Sequence, residues 1–236
     1  MERKHPRIRA AVVGLGIGRD HIRGFRRHPH CDVVAIADPN QELRAEVSRT
    51  FRVPAAYPDL QTLLDSVRPD VVSLAVPNDL HAPLTIQAME AGAHVLCEKP
   101  MAHTLQDAQR MQAAAERTDR RLMINFSFRF SATARALKGV VDDGKLGDIY
   151  YARSVWHRRD GIPGRTGWFS DRVRSGGGPL IDLGVHRLDL ALWLMGYPRP
   201  VSVSAVDFNA RGTERMGAGF SVRSEERRVG KECATG

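Results

Sequence analysis

What constrains this chain most is a break in hydrophobicity near its start. The apolar run Ile8 to Val13 has strand length and stops at Gly14-Leu15-Gly16-Ile17-Gly18, after which the sequence takes on helical character. A strand, a glycine turn and a helix make a cradle for phosphate. The first glycine permits the tight turn, the second lets the backbone approach a pyrophosphate, and the helix start offers its amides and dipole to the negative charge. This turn departs from the usual GxGxxG, because Gly18 comes one residue early and Arg19 stands where the third glycine would be. Glycine turns are common, so the surroundings decide.

Asp32 to Ala37, DVVAIA, reads as a second strand ending at Asp38. That is about twenty residues beyond the glycines, where a dinucleotide fold places the acid that accepts the ribose hydroxyls. An acid there disfavours a 2′-phosphate, so NAD is expected in preference to NADP, with Arg19 as a charge able to compensate. The competing role for Asp38 is to cap the helix near Asn40 to Phe51. The alternation then continues with helices near Leu60 to Val67, Pro83 to Ala91 and Leu105 to Arg117. Between and after them lie strands at Val71 to Val76, His94 to Cys97 and Leu122 to Asn125. Such a series with short connections predicts an α/β fold with a parallel, doubly wound sheet.

Ligands on such sheets bind beyond the carboxyl ends of the strands. That rule selects Pro77, Asn78 and His81 after one strand and Glu98-Lys99-Pro100 after the next. His81 is equally suited to capping or packing. Lys99, followed by proline, suits holding a substrate oxygen or a nicotinamide ribose.

A second informative stretch is Ser175 to Gly196, SGGGPLIDLGVHRLDLALWLMG. The triple glycine leads into Leu180, Leu183, Leu190 and Leu194 at helical spacing, a tight loop feeding a half-buried helix. Asp182 and His186 then share a helix face one turn apart, which lets the acid hold the imidazole by a hydrogen bond and select its tautomer. That is the geometry of an oriented general base. A solvated surface pair is the plainer reading, and two metal ligands a third, although no further ligand stands at suggestive spacing.

Composition removes other classes. Cys31, Cys97 and Cys233 are scattered and odd in number, against both a disulfide framework and a zinc site. The formal charge of +8 comes from arginines dispersed among carboxylates, not from a basic run interleaved with aromatics, so no nucleic-acid partner is expected. No apolar run approaches the length of a membrane span and Met1 to Ile8 is too polar for a secretory signal, so a cytoplasmic protein is expected.

The motifs VGLGIGRDH, IAD, AVPNDLH, CEKP, NFSFRF, KLGDI and SGGGPLIDLGVHRLD, in that order, resemble the glucose-fructose oxidoreductase, inositol dehydrogenase and rhizopine-catabolism family, Gfo/Idh/MocA. The resemblance runs from Ile8 to about Asn209. It implies an N-terminal Rossmann domain, residues 1–124, and a C-terminal α/β domain with an open, mainly antiparallel sheet that forms a homo-oligomer interface. It further implies that Lys99, Asp182 and His186 match the catalytic lysine, aspartate and histidine of the inositol dehydrogenase type. Arg129, Trp168 and the His157-Arg158 pair fall near positions where relatives touch cofactor or substrate. Oxidising a secondary alcohol needs a base for the hydroxyl proton and a donor for the developing alkoxide. His186 would be the base, Asp182 its orienter and Lys99 the donor, with a sugar, polyol or cyclitol as substrate. Some relatives use bound NAD transiently to cleave glycosidic bonds, and others have become non-catalytic nucleotide sensors. The C-terminal domain, residues 125–222, is expected to be incomplete, since relatives continue for about another hundred residues. Within it Val201 to Asn209 is expected as a strand. The closing Arg223 to Cys233, RSEERRVGKEC, has no counterpart in the family and matches the translation of a sequencing-library adapter, so residues 223–236 are expected to be a non-native tail.

Overall fold

A computed structural model describes residues 7–157 and 167–206. The apolar runs form β1 (Ile8–Val13), β2 (Cys31–Ala37), β3 (Ala55–Tyr57), β4 (Val71–Leu74), β5 (His94–Cys97) and β6 (Leu122–Ile124). All five pairings are parallel, in the order β3-β2-β1-β4-β5-β6. Alternate residues of β1 face opposite layers, which is why the run is apolar throughout and not alternating. Val12 packs with Ile22, Ile36, Val47 and Phe51 beneath α1 (Gly18–Arg26) and α2 (Gln41–Phe51). Val13 packs with Leu63, Leu74, Met89 and Met111 beneath α3 (Leu60–Val67), α4 (His81–Glu90) and α5 (Leu105–Thr118). Each such fully buried Leu, Ile or Met contributes about 1.5 to 3 kcal/mol relative to exposure.

Local chemistry sets the helix starts. Asn40, Asp59 and Thr104 each accept a backbone N–H two or three residues into α2, α3 and α5. The start of α1 is different: Ile17 precedes it and no side chain caps its amides.

Register decides where the site lies. Val13 pairs with both Ala37 and Leu74, Leu74 with Cys97, and Cys97 with Ile124, so five strands end in one row. Gly14, Asp38, Ala75, Glu98 and Asn125 therefore emerge together at a single edge. The strand order reverses between β1 and β4, which opens the ligand crevice of this fold between the loops that begin at Gly14 and Ala75.

Beyond β6 the regular elements among the described residues are helical and include α6 (Ala132–Asp142), α7 (Arg172–Ser175), a π-helical turn over Leu180–Gly184, and α8 (Val185–Leu194). The strand expected at Val201 to Asn209 is not formed over 201–206, where Val201, Val203 and Val206 are exposed, and 207–209 lie outside the described residues. A strand needs a ladder partner for its amides, and no described residue supplies one. Among the described residues no helix is long and apolar enough to cross a membrane.

Candidate active site

The crevice edge is built for a dinucleotide. Gly14 has φ +84°, and a Cβ there would lie 2.2 Å from the Ala75 carbonyl oxygen, so only glycine lets β1 turn this close to β4. At Gly18 a Cβ would meet Val12 Cγ1 at 2.9 Å; this glycine, early as it is, provides the close helix-to-strand packing expected of the third glycine. A Cβ on Gly16 would meet nothing within 4 Å, leaving room against the uncapped start of α1 and beside the exposed Ile17. Asp38 ties this turn to the second strand: its Oδ2 accepts from Leu15 N at 2.9 Å and its Oδ1 from Asn40 N at 2.9 Å. Each oxygen keeps a lone pair for a ribose hydroxyl. Asn40, not Asp38, caps α2. Arg19 is engaged by Glu46 at 3.0 Å and by the Leu15 carbonyl at 3.3 Å.

Three strand positions along the edge, the lysine and the glycine-rich helix meet. Lys99 Nζ donates to Asp182 Oδ1 and to the Asp182 carbonyl, both at 2.9 Å, with about a fifth of either side chain exposed. The expected Asp182 to His186 hydrogen bond is absent, and this corrects the sequence reading. Asp182 sits in the π turn, whose bonds run from i to i+5, so a residue four ahead falls short of a full turn and the carboxylate swings to the lysine. His186 is instead held by rings: Phe128 meets it edge to face at 4.8 Å and Trp156 stands 6.4 Å away. Its Nδ1 is buried without a hydrogen-bond partner among the described residues. Burial and then the Lys99 ammonium push the imidazole below its ordinary value of 6.5, although Glu98, Asp182 and Asp189 pull the other way. The ring is thus neutral at pH 7 and free to take a proton.

Comparisons with known proteins identify the family. The profile of the Gfo/Idh/MocA oxidoreductase family, NAD-binding Rossmann fold, matches residues 8–126, and that of the Gfo/Idh/MocA C-terminal domain matches residues 134–227. The chain belongs to the Gfo/Idh/MocA oxidoreductase family. Its similarity to D-glucoside 3-dehydrogenase of Escherichia coli (strain K12) is 36% identity, over 88% of this chain and 60% of that protein. For myo-inositol 2-dehydrogenase of Thermotoga maritima the identity is 30%, over 80% and 55%. A levoglucosan dehydrogenase solved with NADH and levoglucosan superposes with a TM-score of 0.71 at 28% identity, covering 80% of this chain and 54% of its own. The chain thus spans about 60% of the length of the curated relatives it matches or less. The nicotinamide cofactor expected from the glycine turn and Asp38 is that of this family.

Within this Gfo/Idh/MocA chain several expected site residues have protein partners. His81 is fully buried, with Nδ1 2.7 Å from the Pro100 carbonyl and Nε2 3.1 Å from that of Val76. It clips the loops after β4 and β5 together from within and does not face the crevice, and burial lowers its pKa. Arg129 forks onto Asp189, with its Nε 2.7 Å from Oδ2, and lies over the rings of Phe126 and Tyr197. That clamp holds α8 to the turn after β6. Asn78, behind Pro77, is buried and donates to the Ser175 carbonyl at 2.7 Å, tying the crevice loop to the triple-glycine segment. Trp168 packs on Phe169 at 5.3 Å in the turn before α7. His157 is exposed, and Arg158 lies outside the described residues.

Sequence reasoning missed the groups around these residues. Phe128 and Trp156 box His186, and Arg187 stacks 4.6 Å over Trp156. The motif NFSFRF contained the first of them without showing which way it points. Among the described residues no three His, Cys, Asp or Glu side chains gather as a metal site. Cys97 is buried, which pushes its thiol up to about 12 and leaves it unreactive at neutral pH.

Proposed function

We propose that this chain is the cofactor-binding and catalytic portion of an NAD-dependent oxidoreductase that transfers a hydride between nicotinamide and a secondary alcohol of a sugar, polyol or cyclitol. The observation that carries the proposal is the half-buried His186, its pKa lowered, beside the Lys99 to Asp182 ion pair at the carboxyl edge of the sheet. The Gly14 to Gly18 turn and the free amides of α1 would hold the pyrophosphate, Asp38 the adenosine ribose, and Glu98 with Lys99 the nicotinamide half. When bound, the dinucleotide supplies the hydride acceptor at its nicotinamide ring. His186 takes the hydroxyl proton, and Lys99 donates a hydrogen bond to the alkoxide oxygen as charge develops there. Asp182 keeps Lys99 aimed. The substrate class is supported by the sugar and cyclitol dehydrogenases named above. A panel of sugars, polyols and cyclitols with NADH absorbance as readout tests it; hydrolysis of a glycoside without net NADH would replace it with the lyase-like chemistry known among relatives.

Asp38 gives the cofactor preference a direct check. Asp38→Asn keeps an oxygen for Leu15 N but removes the charge that repels a 2′-phosphate. NAD is expected to bind the parent more tightly than NADP, and the substitution to narrow that gap by about 1 to 3 kcal/mol. Titration of both nucleotides into both proteins measures this, and a parent that prefers NADP sinks the assignment.

A further inference from the structure

One cluster of buried polar groups lies behind the edge and plays no part in the chemistry above. His21 projects inward from the first turn of α1, the helix whose amides face the crevice, and its side chain is only 6% exposed. Its Nδ1 is 2.6 Å from Ser73 Oγ on β4, and its Nε2 is 2.9 Å from Glu98 Oε1 at the end of β5. Glu98 Oε1 also accepts from Asn125 Nδ2 at 2.6 Å, and Oε2 from Lys99 N at 3.2 Å. The first turn of α1 and the ends of β5 and β6 thus meet on one carboxylate.

The order serine, histidine, acid is that of a nucleophilic triad, yet Ser73 is 0% exposed inside the sheet and no substrate reaches it. What the chain of bonds does achieve is a fixed direction. Asn125 Nδ2 and Lys99 N can only donate, so Glu98 accepts throughout; Nε2 of His21 must then donate to it, and in the neutral ring Nδ1 accepts from Ser73. Every polar atom of the ring is satisfied in that one tautomer, and a fully satisfied buried network rigidifies what it joins.

We propose that His21 is a positioning residue that couples the phosphate-binding helix to the nicotinamide side of the site, by holding Glu98 and with it the backbone of Lys99 at a set distance from the glycine turn. The inference rests on the cofactor reading above and reaches one step past it. A pyrophosphate seated on α1 and a nicotinamide seated by Glu98 and Lys99 are a covalently fixed span apart, so binding of the whole dinucleotide depends on that distance. Binding of the adenosine half does not.

That difference is the test. NAD and ADP, which keeps the pyrophosphate but lacks the nicotinamide and its ribose, are titrated into the 236-residue chain, His21→Leu and His21→Gln. His21→Leu should weaken NAD about tenfold or more, the effect of one lost bond to a charged group, and leave ADP within about twofold. His21→Gln, which can still donate to Glu98, should recover most of the NAD affinity. Equal losses for both nucleotides would reduce His21 to a folding role and overturn the proposal, as would unchanged NAD affinity. A parent chain that binds neither nucleotide removes the cofactor reading itself and the proposal with it. Nitrogen-15 correlations of the His21 ring in the nucleotide-free parent give an answer that needs no variant to fold: a proton on Nε2 and a lone pair on Nδ1 is expected, and the opposite tautomer overturns the network.

Discussion

His186→Ala is expected to lower turnover by about 10² to 10⁴-fold while NAD affinity stays near that of the parent, because a general base acts on the proton and not on the nucleotide. The structure adds a second signature. The base must be neutral, and burial with the Lys99 charge holds His186 below 6.5, so the acid limb of the kcat/KM profile belongs below that value and activity persists into mildly acid solution. Lys99→Met removes one cause of that depression, and the acid limb should then move upward even as the rate falls. Stopped-flow NADH absorbance across pH, with NAD binding measured separately, reads all three. Unchanged turnover in His186→Ala returns the residue to a packing role between Phe128 and Trp156.

The other large effect is expected at the glycine turn, where neighbouring glycines separate stability from binding. Gly14→Ala forces a side chain into φ +84° with its Cβ 2.2 Å from a backbone oxygen of the adjacent β4 loop. Backbone strain of about 1 to 3 kcal/mol and overpacking of about 1 to 3 kcal/mol together approach the whole stability of many domains. The chain should lose its cooperative melt or drop steeply in denaturant midpoint. Gly16→Ala faces open space and should melt near the parent, yet bind NAD at least about tenfold more weakly because the methyl occupies the phosphate approach. Chemical denaturation paired with NAD titration separates the two. A Gly14→Ala protein as stable as Gly16→Ala would show that the turn relaxes away from β4.

Legibility followed periodicity. The strand expected at Ile8 to Val13 coincides with β1, and the expected helix at Leu60 to Val67 coincides with α3, because long apolar patterns bounded by turns leave little freedom. β3, three residues at the sheet edge, has no period to detect, and α6 follows an N-cap at Ser131 that was not read. Within the site, residue types were legible and directions were not. Asp182 and Lys99 meet because a π turn interrupts the helix, which a four-residue spacing does not reveal. His81 and Arg129 carry the chemistry of ligand contacts yet spend it on two carbonyls and on Asp189, choices fixed only when distant loops come together. His21 stood in the quoted motif VGLGIGRDH, but its partner Glu98 lies 77 residues away.

The joint between the sheet and the segment that bears the base is made of polar bonds. Lys99 to Asp182, Asn78 to the Ser175 carbonyl and His103 to the Arg174 carbonyl cross it, whereas both apolar cores draw their buried members from residues 11–114. Hydrogen bonds of that kind contribute about 1 kcal/mol each in water, far less than the sheet beneath. The two halves of the proposed catalytic pair are therefore expected to fall in different units of unfolding, and gentle warming or dilute denaturant should part Lys99 from Asp182 while the glycine turn still stands. Competence in such a molecule is a weak local equilibrium resting on a strong scaffold.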